Sequence, residues 1–397
     1  MKPVLALGIT QIIGFGSLYY AFPILVPAVA ATFGRPEAHL YAVFSVGLLI
    51  GGFAAPFAGR LMDRFGAARL MAGGSVAAAA CLALMASAPV FSIWAAGVLL
   101  TEIVAVAVLY DAAFAALAQL RGPGARRAIT RLTLIAGFAS TVFWPMTEAL
   151  RDAFGWRATL LVFAALHATL GLGLHLWLAR QRPIAATAGA AAAPPVPEAP
   201  PLPPEWTARA FRSVALSFAL TGALISAFGV HMVPVLAASG LGASATAVAM
   251  IVGPAQVAIR LTDAVLFARL HPLTVAAISA SAPPLAVAGL VLGLPALAAG
   301  VIFAALFGVG QGLASIVRGT VPLVLFGGQG YAARLGRLAM LRTLASAGAP
   351  FAFAAAGAAL GTEGALWIFA LLGVVAAAPL LHLRARLSAE GRLAPLV

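Results

Sequence analysis

Residues 55–88 read APFAGRLMDRFGAARLMAGGSVAAAACLALMASA, and within them the stretch GRLMDRFGAAR (Gly59 to Arg69) separates two apolar runs. A membrane-spanning helix needs about 20 mainly apolar residues, and each flanking run supplies them. Gly59 and Gly66 permit close helix approach and a turn. Asp63 is able to accept hydrogen bonds at a neighbouring helix N-terminus, while Arg60, Arg64 and Arg69 suit lipid headgroups or partner carboxylates. The stretch therefore reads as a short basic loop between two spans.

The rest of the chain repeats this pattern. Of its 397 residues 63% are hydrophobic and 9% charged, with a mean hydropathy of +1.05. Soluble domains are roughly half apolar and a quarter charged, so this is a membrane composition. Apolar runs near 4–31, 39–59, 67–88, 91–119, 128–150 and 157–179 are followed by a second set near 208–237, 243–267, 272–292, 295–325, 336–359 and 362–383. Between the sets, AATAGAAAAPPVPEAPPLPPEW cannot bury a core and reads as a linker. The expected organisation is an N-terminal six-helix bundle over 1–180, a cytoplasmic Ala/Pro-rich linker over 181–206 and a C-terminal six-helix bundle over 207–397. The first run is too long for the apolar segment of a signal peptide and is expected to be a retained span.

A net charge of +13 suggests nucleic acid in a soluble protein. Here the distribution excludes that reading. Lys2 is the one Lys among 24 basic residues, and most Arg lie in short segments between apolar runs. With the N-terminus inside, one side holds Lys2, Arg60, Arg64, Arg69, Arg121, Arg126, Arg127, Arg180, Arg182, Arg209, Arg212, Arg269, Arg334, Arg337, Arg384, Arg386 and Arg392. The other side holds Arg35, Arg151 and Arg157. By the positive-inside rule both termini and the linker are expected in the cytoplasm, which requires an even number of spans. The single cysteine, Cys81, excludes a disulfide within the chain and reads as a small buried hydrophobe.

The two sets of runs resemble each other. ATFGRPEA after the first run matches AASGLGAS after the seventh, and RRAITRLTLIAG compares with GRLAMLRTLASAG. The second match sets Arg126 against Arg337 and Arg131 against Arg342. Duplicated six-helix halves are what an alternating-access carrier needs, because two bundles can rock around a central site.

The loop Gly59 to Arg69 resembles the conserved cytoplasmic loop motif of the major facilitator superfamily, Gly-x-Leu-Ala-Asp-Arg-x-Gly-Arg-Lys. Gly59, Leu61, Asp63, Arg64 and Gly66 match, while Met62, Ala67 and Ala68 depart. The resemblance covers the whole chain. It implies an all-α polytopic membrane protein whose twelve transmembrane helices form two pseudo-symmetric six-helix bundles, with Gly59, Asp63, Arg64 and Gly66 as a gating motif. Span 1, GFGSLYYAFPILVPAVAATFG, looks like that of the monocarboxylate and oxalate–formate branch. Members of the branch carry a substrate-binding Arg in span 8, where this chain has Arg260 with Gln256 one turn earlier. The branch's Asp/Glu-Gly signature and span-1 Lys are absent. The run IVRGTVPLVLFGGQGY looks like a signature of bacterial relatives, some of which are efflux systems, including ones for arsenite.

Ionisable groups at membrane depth are costly, and each is a functional candidate with a structural alternative. Arg260 has Gln256 and Asp263 on its helix face, and an Arg there suits bidentate capture of a carboxylate with Gln256 as a second donor. Its alternatives are pairing within the bundle and a remnant of the loop motif, since APFAGRLMD and AQVAIRLTD align Arg60 with Arg260 and Asp63 with Asp263. Arg342, near Ser346, offers a second cationic group, or a structural one that snorkels at the cytoplasmic mouth. Asp111 and Arg318 fall at similar depths in equivalent runs and are expected to pair across the halves; Asp111 with Arg131 is the alternative. Glu102, mid-run, is the candidate proton carrier, with Asp111 as a second, and a hydrogen-bonded structural role is its alternative. His231 is placed to line a cavity beside Tyr19 and Tyr20, although packing is its favoured role. His167 and His175 lie eight apart without carboxylate company, which argues against a metal site.

No GxxxxGK[ST] motif occurs, so transport by this chain alone would draw on a gradient rather than ATP. No nucleophile–base constellation suggests an enzyme, and no cofactor is expected. The expected function is secondary active transport of a small organic anion such as a carboxylate across a bacterial inner membrane, by a single chain and with proton coupling available. Efflux of arsenite, drugs or metabolites is the first alternative, and a non-transporting membrane sensor the second.

Overall fold

The computed structural model describes residues 2–181, 202, 204–267, 270–292 and 296–391. Most of the 181–206 linker lies outside the described residues, as do Arg182, Arg269 and Arg392 of the charge pattern. The described chain is helical and falls into two units.

The first unit comprises residues 1–195 and 328–340. Helix α1, Lys2–Phe33, contains a π-helical turn at Gly16–Tyr20 and stops at Gly34, whose φ of 59° is a left-handed cap. Helices α2 (Glu37–Phe65) and α3 (Ala67–Ser87) follow, joined at Gly66 with φ 91°. The next helical stretch, α4, Phe91–Arg121, breaks at Leu109, which is extended. The break leaves the Val108 carbonyl without its helical partner, and the buried Gln11 side chain donates to it at 2.7 Å. Helices α5 (Ala125–Ala136) and α6 (Ala139–Leu166), a second π-helical turn at His167–Gly171 and α7 (Leu172–Ala179) complete the sequence-contiguous part. Within α6, Gly155 at φ 78°, ψ 167° kinks the helix in a conformation open to glycine. The core gathers Leu25, Trp94, Phe143, Trp156 and Phe163.

The second unit comprises residues 196–327 and 341–397. Helix α8 (Pro204–Leu236) runs into a π-helical turn at Ala237–Leu241. The expected span near 243–267 forms as α9 (Ala245–Ala249) and α10 (Val252–Val265). Pro254 has no N–H to return to the Met250 carbonyl, so the helix is interrupted there. Helices α11 (Pro272–Val291), α12 (Ala296–Phe326) and α13 (Tyr331–Ala389) follow; the first residues of α13 belong to the first unit. Gly361 in α13, at φ 75°, ψ 169°, repeats the Gly155 kink. The core centres on Phe228, whose ring lies 5.4–6.2 Å from those of Phe303, Phe307, Phe353 and Phe369.

Nine stretches among the described residues are long and apolar enough to cross a membrane. Large apolar side chains such as Phe53, Phe57, Phe351 and Leu371 are exposed, Phe351 to 80%. Water would penalise such a surface, whereas lipid chains match it.

Candidate functional site

In the first unit, the basic loop is held from several directions. The Asp63 carboxylate accepts from the backbone N–H groups of Ala332 (3.1 Å) and Ala333 (2.8 Å), which open α13. A carboxylate at a helix N-terminus meets unpaired amides and the positive end of the helix dipole. Bare glycines let the backbones meet there. A Cβ on Gly59 would lie 2.3 Å from the Ala332 carbonyl oxygen, and one on Gly336 would lie 2.2 Å from that of Ala55. Gln119 fastens the turn, accepting from the Ala67 N–H at 2.8 Å and donating to the Met62 carbonyl at 3.0 Å. The exposed Arg60 and Arg64 guanidiniums sit over the Phe57 and Phe65 rings.

At the other end of this unit, Arg35, Arg151 and Arg157 are each engaged locally. Arg35 lies over Phe91, and Arg157 donates to the Ala88 carbonyl while covering the Trp156 ring. Arg151 donates to Asp152 at 2.8 Å and to the Ile24 carbonyl at 3.2 Å.

Glu102 is buried at the wall of a cavity with about 460 Å³ of unfilled space, its open end included. The lining is apolar and aromatic, including Phe22, Phe44, Trp94 and Met85, with Ser17, Thr101 and Glu102 as its polar members. Two glycines of α2 make room for the acid. A Cβ on Gly47 would lie 2.8 Å from Glu102 Cγ, and one on Gly51 would lie 2.6 Å from its carbonyl oxygen. Ser17 leads out of the cavity to His167, with Oγ 2.9 Å from Nε2. His175 is buried in a like manner, its Nδ1 2.8 Å from Ser75 Oγ. Each His therefore has a hydroxyl partner of its own.

In the second unit, Arg260 and Gln256 are brought together on α10, with a third residue from α12. Arg260 Nη2 donates to Gln256 Oε1 at 3.4 Å and its Nε to the Gly312 carbonyl at 3.4 Å. Gln256 Nε2 in turn donates to Gln311 Oε1 at 2.8 Å. All three side chains are half-buried. Gly312 and Gly308 allow this approach, since a Cβ on either would press on the α10 backbone at 2.7–2.9 Å. The cluster thus sets a half-buried guanidinium beside a pair of linked amides, and its remaining N–H groups are of the kind that suits a carboxylate.

The remaining sequence candidates are more scattered. The Arg342 stem packs where Gly222 has no side chain, beside Ser346. His231 bonds through Nε2 to the Pro350 carbonyl at 2.9 Å and stacks on Phe353. Tyr20, in the first unit, packs edge-on against Trp144 and Tyr19. Asp111 sits in the first turn after the Leu109 break, and Arg318 is half-buried in α12. Sequence reasoning overlooked Gln11, Ser17, Gln119 and Gln311. All are uncharged, so a search for ionisable groups in apolar runs passes over them.

Comparison with known proteins defines the class. The family model described as Major Facilitator Superfamily matches residues 7–333. The chain belongs to that superfamily of membrane transporters. Its fold is similar to a solved structure titled "Crystal structure of the human organic anion transporter MFSD10 (TETRAN)". The TM-score is 0.68 at 16% identity, over 96% of this chain and 98% of that one. No curated protein sequence matches.

Proposed function

We propose that this chain is a secondary transporter that moves a small organic anion, such as a carboxylate, by alternating access. The observation that carries the proposal is the Arg260–Gln256–Gln311 cluster, a partly buried cation with amide company on a helix that the proposal takes as a span. Such a group is costly unless it serves a ligand or a pairing role. The similar fold of a human organic anion transporter accords with this reading. The proposal includes twelve spans. Nine candidate stretches become twelve when the stretch holding α6 is divided at Gly155, α13 is divided at Gly361, and α9 with α10 is taken as a span of its own. It also places both termini in the cytoplasm of a bacterial cell, makes Glu102 the proton carrier, and pairs Asp111 with Arg318 as a cytoplasmic gate. The Asp111→Arg, Arg318→Asp double variant is expected to recover transport lost in either single variant. Recovery no better than the single variants removes that pair from the proposal.

Exchange of labelled mono- and dicarboxylates across proteoliposomes tests the main reading. Arg260→Ala is expected to cut exchange at least tenfold, since a charge-assisted contact contributes about 1.5–3 kcal/mol. Arg260→Lys keeps the charge without the planar fork and is expected to fall between. Unaltered exchange in Arg260→Ala would return the residue to a structural role.

A second reading has its own observation. The apolar, aromatic cavity with Glu102 at its wall suits a hydrophobic cation, as in drug efflux. Binding of such cations that depends on Glu102 and not on Arg260 would favour it.

A further inference from the structure

We propose that Glu102, Ser17 and His167 form one proton-binding unit in the first helical unit, with Glu102 and His167 as two ends of a short relay through the Ser17 hydroxyl. The inference rests on the transport reading above for its use, but on separate observations for its existence. Glu102 and Ser17 line the same cavity. Ser17 sits in the π-helical turn Gly16–Tyr20, and its partner His167 opens the π-helical turn His167–Gly171, so the two turns meet at this bond. Single π turns within α-helices are uncommon and concentrate at functional sites.

Ser17 has one hydroxyl proton and two acceptors in reach, the Ile13 carbonyl at 2.7 Å and His167 Nε2 at 2.9 Å. When Nε2 lacks a proton, the hydroxyl donates to it. When Nε2 carries one, the imidazole donates to Ser17 Oγ and the hydroxyl turns to Ile13. The pair therefore has two hydrogen-bonded arrangements that differ in where a proton sits.

A protonated Glu102 gives its proton, through water in the cavity, to Ser17 Oγ as Ser17 passes its own proton to His167 Nε2. Glu102 becomes a carboxylate and His167 an imidazolium, and one proton has moved. The cavity is apolar over most of its lining, and Glu102, Thr101 and Ser17 are the polar groups there that would hold such a water. The elements around the relay add few competing groups. From α2 the acid meets Gly47 and Gly51. From α3 come Cys81, which lies close to Thr101, and Ser75, which is engaged with His175. From α7 comes His175, and from α1 Ser17 itself. Glu102 is the one acid among the described lining residues.

The test is infrared difference spectroscopy of the full chain in lipid nanodiscs during a pH titration, combined with nitrogen NMR of labelled histidines. A protonated-carboxyl stretch that vanishes in Glu102→Gln assigns the acid. The relay predicts that this band titrates in two coupled steps, with the His167 ring signal changing over the same pH range. In Ser17→Ala and in His167→Gln the band is expected to persist and collapse to a single step, its midpoint moved by about one pH unit. A His167 signal that stays constant while the Glu102 band titrates overturns the relay, as does the absence of any Glu102 band. The wild-type NMR readout keeps the test decisive if His167→Gln fails to fold. Loss of carboxylate exchange in Arg260→Ala reports on the transport reading separately, so failure of either is recognised by itself.

Discussion

The Gln11 side chain is wholly buried and donates to the carbonyl orphaned by the break at Leu109. Replacing it with Leu leaves that carbonyl unpaired at membrane depth, and Gln11→Leu is expected to cost about 1–3 kcal/mol in unfolding from lipid or detergent. A value indistinguishable from wild type would show that the break is sustained without it. Asp63 makes a sharper comparison. Asp63→Asn keeps one acceptor for the amides of Ala332 and Ala333, whereas Asp63→Ala removes both, so the alanine variant is expected to be less stable by about 1 kcal/mol. Depth in an apolar run singles out Arg260 and Glu102 from sequence alone. The same search misses Gln311 and Ser17, because an amide among Gly, Ala and Val, or a serine in an apolar turn, leaves no charge to detect. Those residues become visible when the fold sets α12 beside α10 and one π-helical turn beside another.

Helix ends follow from glycine and proline chemistry, which is why the runs in the sequence anticipate many of the observed boundaries. Gly34 and Gly66 adopt positive φ where a run stops, and the Arg/Gly/Pro punctuation marks the same places. Interruptions inside runs are another matter. VAVLYDAAF is continuously apolar up to Asp111, and nothing in it announces the extended Leu109. The π-helical turns at Gly16–Tyr20 and His167–Gly171 are likewise hidden, since they depend on packing rather than on propensity. Gly155 and Gly361 share nearly the same backbone geometry, φ 78°, ψ 167° and φ 75°, ψ 169°. An L side chain there is strained, so Gly155→Ala and Gly361→Ala are each expected to cost about 1–3 kcal/mol. Equal losses in the two would support a duplicated helix pair. A neutral effect at either would mean that the kink relaxes on substitution.

The assignment to the major facilitator superfamily explains why so apolar a chain carries its Arg at run ends and its small residues at close helix crossings. Membership establishes a transporter and leaves the solute to the site. The proposal of an anion rests on the Arg260 guanidinium and the linked Gln256 and Gln311 amides. Thermal unfolding of the purified protein tests this most directly, run with mono- and dicarboxylates, arsenite and hydrophobic cations, and with Arg260→Ala in parallel. A ligand at about 100 times its Kd adds roughly 2.7 kcal/mol of stability, which is readily seen as a raised Tm. Stabilisation by one carboxylate class, lost in Arg260→Ala, is the expected result. Stabilisation by arsenite or by hydrophobic cations, unchanged in that variant, would contradict it.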